Sequence, residues 1–317
     1  MIYSQGRKPE GDRRKRVVRL LVVGLVLAGV AGGAVFALDS ADWLPFGIRL
    51  RDTELLSLWN ESRYGEVLSM AESILEESPL DAEALTFGGF AHFYVGIELV
   101  QRAEQLEHLD RSIEMLRKAM HVPRAPLQAE RDYVLGKAYY HKGDEYVDLS
   151  VRYLRDSLEG GYEAPDSRTY LGLGYARLGD YEESAAWYER AIEHAPDDEI
   201  AAVRIKAAET YVELGDYDAA RARLNEAIAS LDDEFLVLMA RNQLASVLVL
   251  DDRLERAEQV LNATIERFPQ SADAYYYLGI VYDRTDRAVE ARDLWRTARE
   301  IDPNHTKALQ RLANWEG

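Results

Sequence analysis

The sequence predicts an all-α fold, a stack of helical hairpins, and three observations lead there. Small and aromatic residues recur with a period of about 34 along most of the chain. Gly-Asp pairs and prolines punctuate that period at repeated offsets. A single uncharged run of 19 residues, Leu20 to Leu38, stands ahead of it.

Composition bounds the rest. The 317 residues are 47% hydrophobic and 30% charged, enough to fold around a core as one large domain or two ordinary ones. Residues 1–19 carry seven of the 38 basic groups (Arg7, Lys8, Arg13, Arg14, Lys15, Arg16, Arg19) and two of the 56 acids. Residues 20–317 are left with a net charge of −23, which repels phosphate backbones, so no nucleic-acid partner is expected. The absence of cysteine excludes disulfides, thiol catalysis and cysteine-ligated zinc.

The N-terminal segments come first in order. Residues 1–19 form a basic head. As a helix, residues 20–38 would span roughly 28 Å, close to the hydrocarbon core of a bilayer. The cluster Arg13-Arg14-Lys15-Arg16 just before them keeps the head cytoplasmic and sends the body across. Residues 20–38 are thus expected to be a signal anchor in the lipid bilayer, at the inner membrane with the body in the periplasm. A cleaved secretory signal is the competing reading, but Ala37-Leu38-Asp39 is a poor cleavage site. Lys15 and Arg16 weaken a twin-arginine export signal. Gly29 and Gly33 form a GxxxG pair, a motif through which two anchors can pack as a homodimer. Residues 39–47 are a short linker.

Periodicity then takes over. Block 165–198 contains Leu171-Gly172, Tyr175, Gly179-Asp180-Tyr181, Ser184, Tyr188, Ala191 and Pro196. Block 201–234 repeats this with Ala207-Ala208, Tyr211, Gly215-Asp216-Tyr217, Ala220, Leu224 and Ala227. Block 272–305 has Tyr275, Leu278-Gly279, Tyr282, Ala291, Trp295, Ala298 and Pro303, while 238–271 is more degenerate. The small residues let paired helices approach, the tyrosines fill the gap between them, Gly-Asp separates them, and proline ends the second. This spacing resembles the tetratricopeptide repeat (TPR) family. The resemblance implies a right-handed superhelical solenoid, since one hairpin cannot bury its apolar face alone.

Lower-fidelity blocks at 48–81, 82–126 and 129–164 bring the array to about seven hairpins over 48–305. In 129–164 the second-helix residues Ser150, Leu154 and Ser157 sit two residues late; 82–126 carries extra residues around Gln101–Leu109, read as longer helices. Residues 306–317 read as a capping helix.

Sites for chemistry are scarce. The six histidines are scattered with no zinc-ligand spacing, and no phosphate loop or nucleophile elbow occurs. Gly172-Leu173-Gly174 lacks a preceding strand and is explained by the repeat. The acidic doublets Asp197-Asp198, Asp232-Asp233 and Asp251-Asp252 fall between helices, where they are expected to cap helix starts. The expectation is a protein with no catalytic residues, cofactor or metal.

In TPR proteins a partner lies along helix-A positions 2, 5, 9 and 12, with 6 and 13 contributing. Carried onto this chain, the resemblance selects Tyr133, Lys137, Tyr140, His141, Tyr170, Leu173 and Arg177. It also selects Ile205, Glu209, Asn242, Ser246, Tyr276, Tyr277, Ile280 and Arg284. Only Lys137 and Asn242 resemble the family's carboxylate-gripping residues, and they are too far apart in sequence to share a grip. The partner is therefore expected to be a protein or peptide segment with apolar and basic side chains. The organisation resembles anchored scaffolds of the bacterial envelope; a holding chaperone for exported proteins, or a cytoplasm-facing assembly factor, are the alternatives.

Overall fold

The computed structural model describes residues 54–195 and 199–315. The head, the expected anchor at 20–38 and the linker lie outside them, as do Pro196, Asp197 and Asp198. Among the described residues no helix is long and apolar enough to cross a membrane. Their regular structure is entirely helical, and the described residues fall into two compact units that divide between Leu178 and Gly179.

In unit 1 the helices are α1 (Glu54–Asn60), α2 (Tyr64–Glu77), α3 (Ala82–Glu98), α4 (Arg102–Met120), α5 (Gln128–Lys142), α6 (Val147–Glu159) and α7 (Ser167–Leu178). The extra residues of the second block lengthen α3 to 17 residues and α4 to 19. A one-turn 3-10 helix, Asp144–Tyr146, precedes α6 and accounts for the two-residue delay of its buried Ser150, Leu154 and Ser157. At Gly136 a methyl group would fall 2.6 Å from Leu154 Cγ, so only glycine lets α5 and α6 lie this close. Residues 84–93 of α3 and 131–140 of α5 are buried on every side. That sets these two helices apart from the one-sided amphipathic pattern of a surface helix.

Unit 2 comprises α8 (Tyr181–Ile192), α9 (Ile200–Glu213), α10 (Tyr217–Ser230), α11 (Glu234–Leu250), α12 (Leu254–Arg267), α13 (Ala272–Arg284), α14 (Ala288–Ile301) and α15 (Thr306–Trp315). One apolar cluster runs from Ala208 through Leu224, Leu248, Leu261 and Trp295 to Leu312, so each hairpin is completed by its neighbour. On α15, Ala308 and Leu312 are buried in that cluster and Leu309 faces outward.

Five of the turns within hairpins share one geometry. Gly179 (φ 78°) and Gly215 (φ 73°) are left-handed, and each is followed by an aspartate that accepts an amide from the new helix, Glu183 at 3.2 Å and Ala219 at 3.0 Å. Ser62 (φ 56°), Asp252 (φ 56°) and Asp286 (φ 59°) hold the same left-handed position without glycine. There the next residue is Arg63, Arg253 or Arg287, which makes no side-chain cap. Of the acidic doublets, Asp233 caps α11 through the amides of Phe235 and Leu236. The expectation fails for Asp251-Asp252: Asp251 receives Arg221 and Arg253, and Asp252 receives Arg284, so both neutralise arginines instead of capping.

Candidate functional site

In unit 1 the groove positions fold inward. Tyr133, Lys137 and Tyr170 are 2%, 3% and 1% exposed, which corrects the expectation that their side chains present themselves to a partner. Lys137 Nζ donates to Asp166 Oδ2 at 2.7 Å and to Tyr133 OH at 3.0 Å, and Tyr133 OH donates to Asp166 Oδ1 at 2.5 Å. The ammonium lies 4.7 Å from the centre of the Tyr170 ring and 5.6 Å from that of Phe93. The cause is packing that repeat positions do not encode. Phe93 and the loop residue Tyr162, whose ring stands 5.4 Å from Tyr133, close over the site. Asp166 stands at position 2 of its block, and that acidic residue, 29 positions after Lys137, is the sequence signal for the pairing.

The neighbours continue this interior. Tyr140 is buried, with the Arg177 guanidinium 3.8 Å over its ring and donating to its carbonyl at 3.1 Å. His141 Nε2 and Tyr170 OH share a hydrogen bond of 2.9 Å. Burial, and then the charges of Lys137, Arg177 and Arg102, push the His141 imidazole down to about 3, so it is neutral at physiological pH. Burial pushes the Tyr133 and Tyr170 phenols well above their usual value. Leu173 is half-buried and Arg177 exposed at the margin.

Unit 2 keeps its groove positions nearer to solvent. Ile205 is half-buried against the core, and Glu209 is exposed, holding Lys206 at 2.8 Å. Asn242 and Ser246 are half-buried, and Asn242 Nδ2 donates to Ser271 Oγ at 3.1 Å at the start of α13. Tyr276 and Tyr277 are half-buried with ring centres 5.1 Å apart, while Ile280 is buried. Arg284 is exposed and donates to Val249 O at 2.6 Å and Asp252 at 2.7 Å. Lys137 and Asn242 therefore each hold an internal partner, and neither stands ready for a carboxylate.

Two residues outside the expected set complete this face. Phe235 and Met239, 44% and 38% exposed, precede Asn242 and Ser246 on α11 at intervals of four, three and four, which places all four on one stripe. Met239 occupies position 2 of its block, so the repeat register itself could have singled it out. Lys307 of α15 lies 5.7 Å from the centre of the Tyr277 ring. Among the described residues no three histidine or acidic side chains converge as a metal site.

This geometry, paired helices stacked in register with a lined inner face, defines a class of helical-repeat proteins. Residues 165–233 match one model of the tetratricopeptide repeat, and residues 205–263 and 242–306 match a second. Residues 165–306 thus carry tetratricopeptide repeats. No curated protein matches it. Among solved structures, it is similar to the C-terminal part of a TPR repeat-containing protein from Cytophaga hutchinsonii. The two share 14% identity and a TM-score of 0.61, over 81% of this chain and 97% of that one. It is also similar to MamA from Desulfovibrio magneticus RS-1, with 16% identity and a TM-score of 0.49 over 56% and 97% of the two chains. At these identities the likeness is one of fold alone.

Proposed function

We propose that this chain is a membrane-tethered, non-catalytic scaffold that holds a protein or peptide segment against the α11–α13 face of unit 2. The observation that carries the reading is the stripe Phe235–Met239–Asn242–Ser246. It offers exposed apolar side chains beside amide and hydroxyl groups on a stacked helical support. The occupant is a segment with apolar and basic side chains. Asp273 on α13 is an exposed acid in that region, and residues 20–317 carry a net charge of −23. Tethering rests on the uncharged run 20–38 behind its arginine cluster, which directs the repeats across the membrane into envelope assembly.

The test is in-cell photo-crosslinking of the full-length protein from Met239 and, separately, from Tyr277. Capture of the same basic, apolar segment from both positions, and not from exposed Glu255 on α12, is the expected result. Capture from none of them, or equally from Glu255, would overturn the site. A reporter fused after Gly317 that is active only in the cytoplasm would overturn the topology and leave the binding face standing.

A further inference from the structure

We infer that His92 and His108 form a two-imidazole site for a first-row transition-metal cation. The two stand 16 residues apart on α3 and α4, and folding brings Nδ1 of one to 3.1 Å from Nδ1 of the other. Metal–nitrogen bonds of about 2.05 Å spanning that gap would meet at about 98°, between octahedral and tetrahedral angles.

Without a cation the same approach is a hydrogen bond between the two rings, one Nδ1–H donating to the other Nδ1. A linear N–H···N bond of the same length would put the ring centres about 5.4 Å apart. Convergence of both lone pairs on one cation would put them at about 4.8 Å. The observed separation is 5.0 Å, with the rings inclined at 58°, so a cation could replace the shared proton with little movement of the ring centres.

The backbone holds this approach. Gly96 lies one turn beyond His92, and a methyl group there would fall 2.7 Å from His108 Cβ. His92 is 9% exposed and His108 half-buried, so a cation enters from the His108 side and waters complete its shell. Arg111, one turn beyond His108 and paired with Glu114 at 3.4 Å, adds positive charge nearby. That charge weakens binding of every dication alike, so Cu²⁺, the strongest binder in the divalent series, is the ion expected to be retained best. The site is independent of the α11–α13 face and of any partner there.

The experiment is equilibrium dialysis of the full-length protein against Cu²⁺, with electron paramagnetic resonance of the bound ion. One equivalent with coupling to two imidazole nitrogens is expected, bound at least tenfold more weakly by His92→Gln and by His108→Gln. His194→Gln, at an exposed histidine of unit 2, should bind as the wild type does. His108 is the more exposed ligand, so its variant stays informative if His92→Gln misfolds. Undiminished binding by folded His108→Gln would overturn the assignment. So would a wild type that retains no more copper than the double variant.

Discussion

Lys137 and Asp166 form an ion pair inside unit 1, 2.7 Å apart with side chains 4% and 7% exposed. Tyr133 satisfies the second carboxylate oxygen, and Phe93 and Tyr170 wall the ammonium. Removing one partner leaves the other uncompensated among aromatic rings, at a cost of about 3–5 kcal/mol. Asp166→Asn and Lys137→Met should each lower the urea-unfolding free energy by that much. The double variant Lys137→Met/Asp166→Asn should recover at least half of the summed loss. Strictly additive losses would show that the two do not act as a pair.

His141 makes stability depend on pH. Its folded value, about 3, lies below the ordinary 6.5, so between those limits the unfolded chain binds a proton that the folded one refuses. Stability is therefore full above 6.5 and declines as pH falls toward 3, by about 1–2 kcal/mol between pH 7 and pH 5. Asp132 acts in the opposite sense. Burial raises its carboxyl to about 6, so acidification through that value favours the folded form. The difference between wild type and His141→Gln isolates the histidine. The wild type should lose about 1–2 kcal/mol more from pH 7 to pH 5. Parallel stability curves would show that His141 is not held neutral.

Some of this was legible in the sequence because packing demands the same residue at each recurrence. Gly279, Ala291 and Ala298 mark where α13 and α14 touch, and Gly215-Asp216 marks where α9 yields to α10. The candidate site was legible only in part. Repeat register says which way a side chain leaves its helix and not what lies above it. Register puts Tyr133 and Lys137 on the inner face of α5, yet Phe93 from α3 and Tyr162 from a loop seal them in. Phe235 lies at the helix start ahead of the repeat block, beyond the reach of a register argument. Similarly, the contact between His92 and His108 depends on the lengths of α3 and α4, which the repeat spacing leaves open.

Gly279 tests the closeness of α13 and α14. A methyl group there would fall 2.6 Å from Cδ1 of Trp295, which is 1% exposed and donates through Nε1 to Tyr276 O at 3.2 Å. Trp295 cannot retreat without giving up both core packing and that bond. Gly279→Ala should therefore destabilise by about 1–3 kcal/mol, despite alanine's higher helix propensity. Gly65 has open space around it, and Gly65→Ala should be neutral or stabilising by up to about 1 kcal/mol. Equal effects in thermal unfolding would mean that helix contact does not set the outcome.

The left-handed turn position gives a graded prediction, because five turns share the geometry and differ in residue. A side chain at φ near 56° crowds the following carbonyl, at a cost of about 1–2 kcal/mol that aspartate partly offsets through local hydrogen bonding. Ser62→Gly should therefore stabilise by about 0.5–1 kcal/mol, after allowing for the greater freedom of glycine in the unfolded chain. Asp286→Gly should gain less. Asp252→Gly should gain least, because it also loses the 2.7 Å contact from Arg284. The reverse change, Gly215→Ala, forces a methyl group into φ 73° and should cost about 1–2 kcal/mol. Chemical denaturation of the four variants checks the order. If Asp252→Gly gained as much as Ser62→Gly, the ion pair with Arg284 would contribute nothing and backbone strain alone would rank these turns.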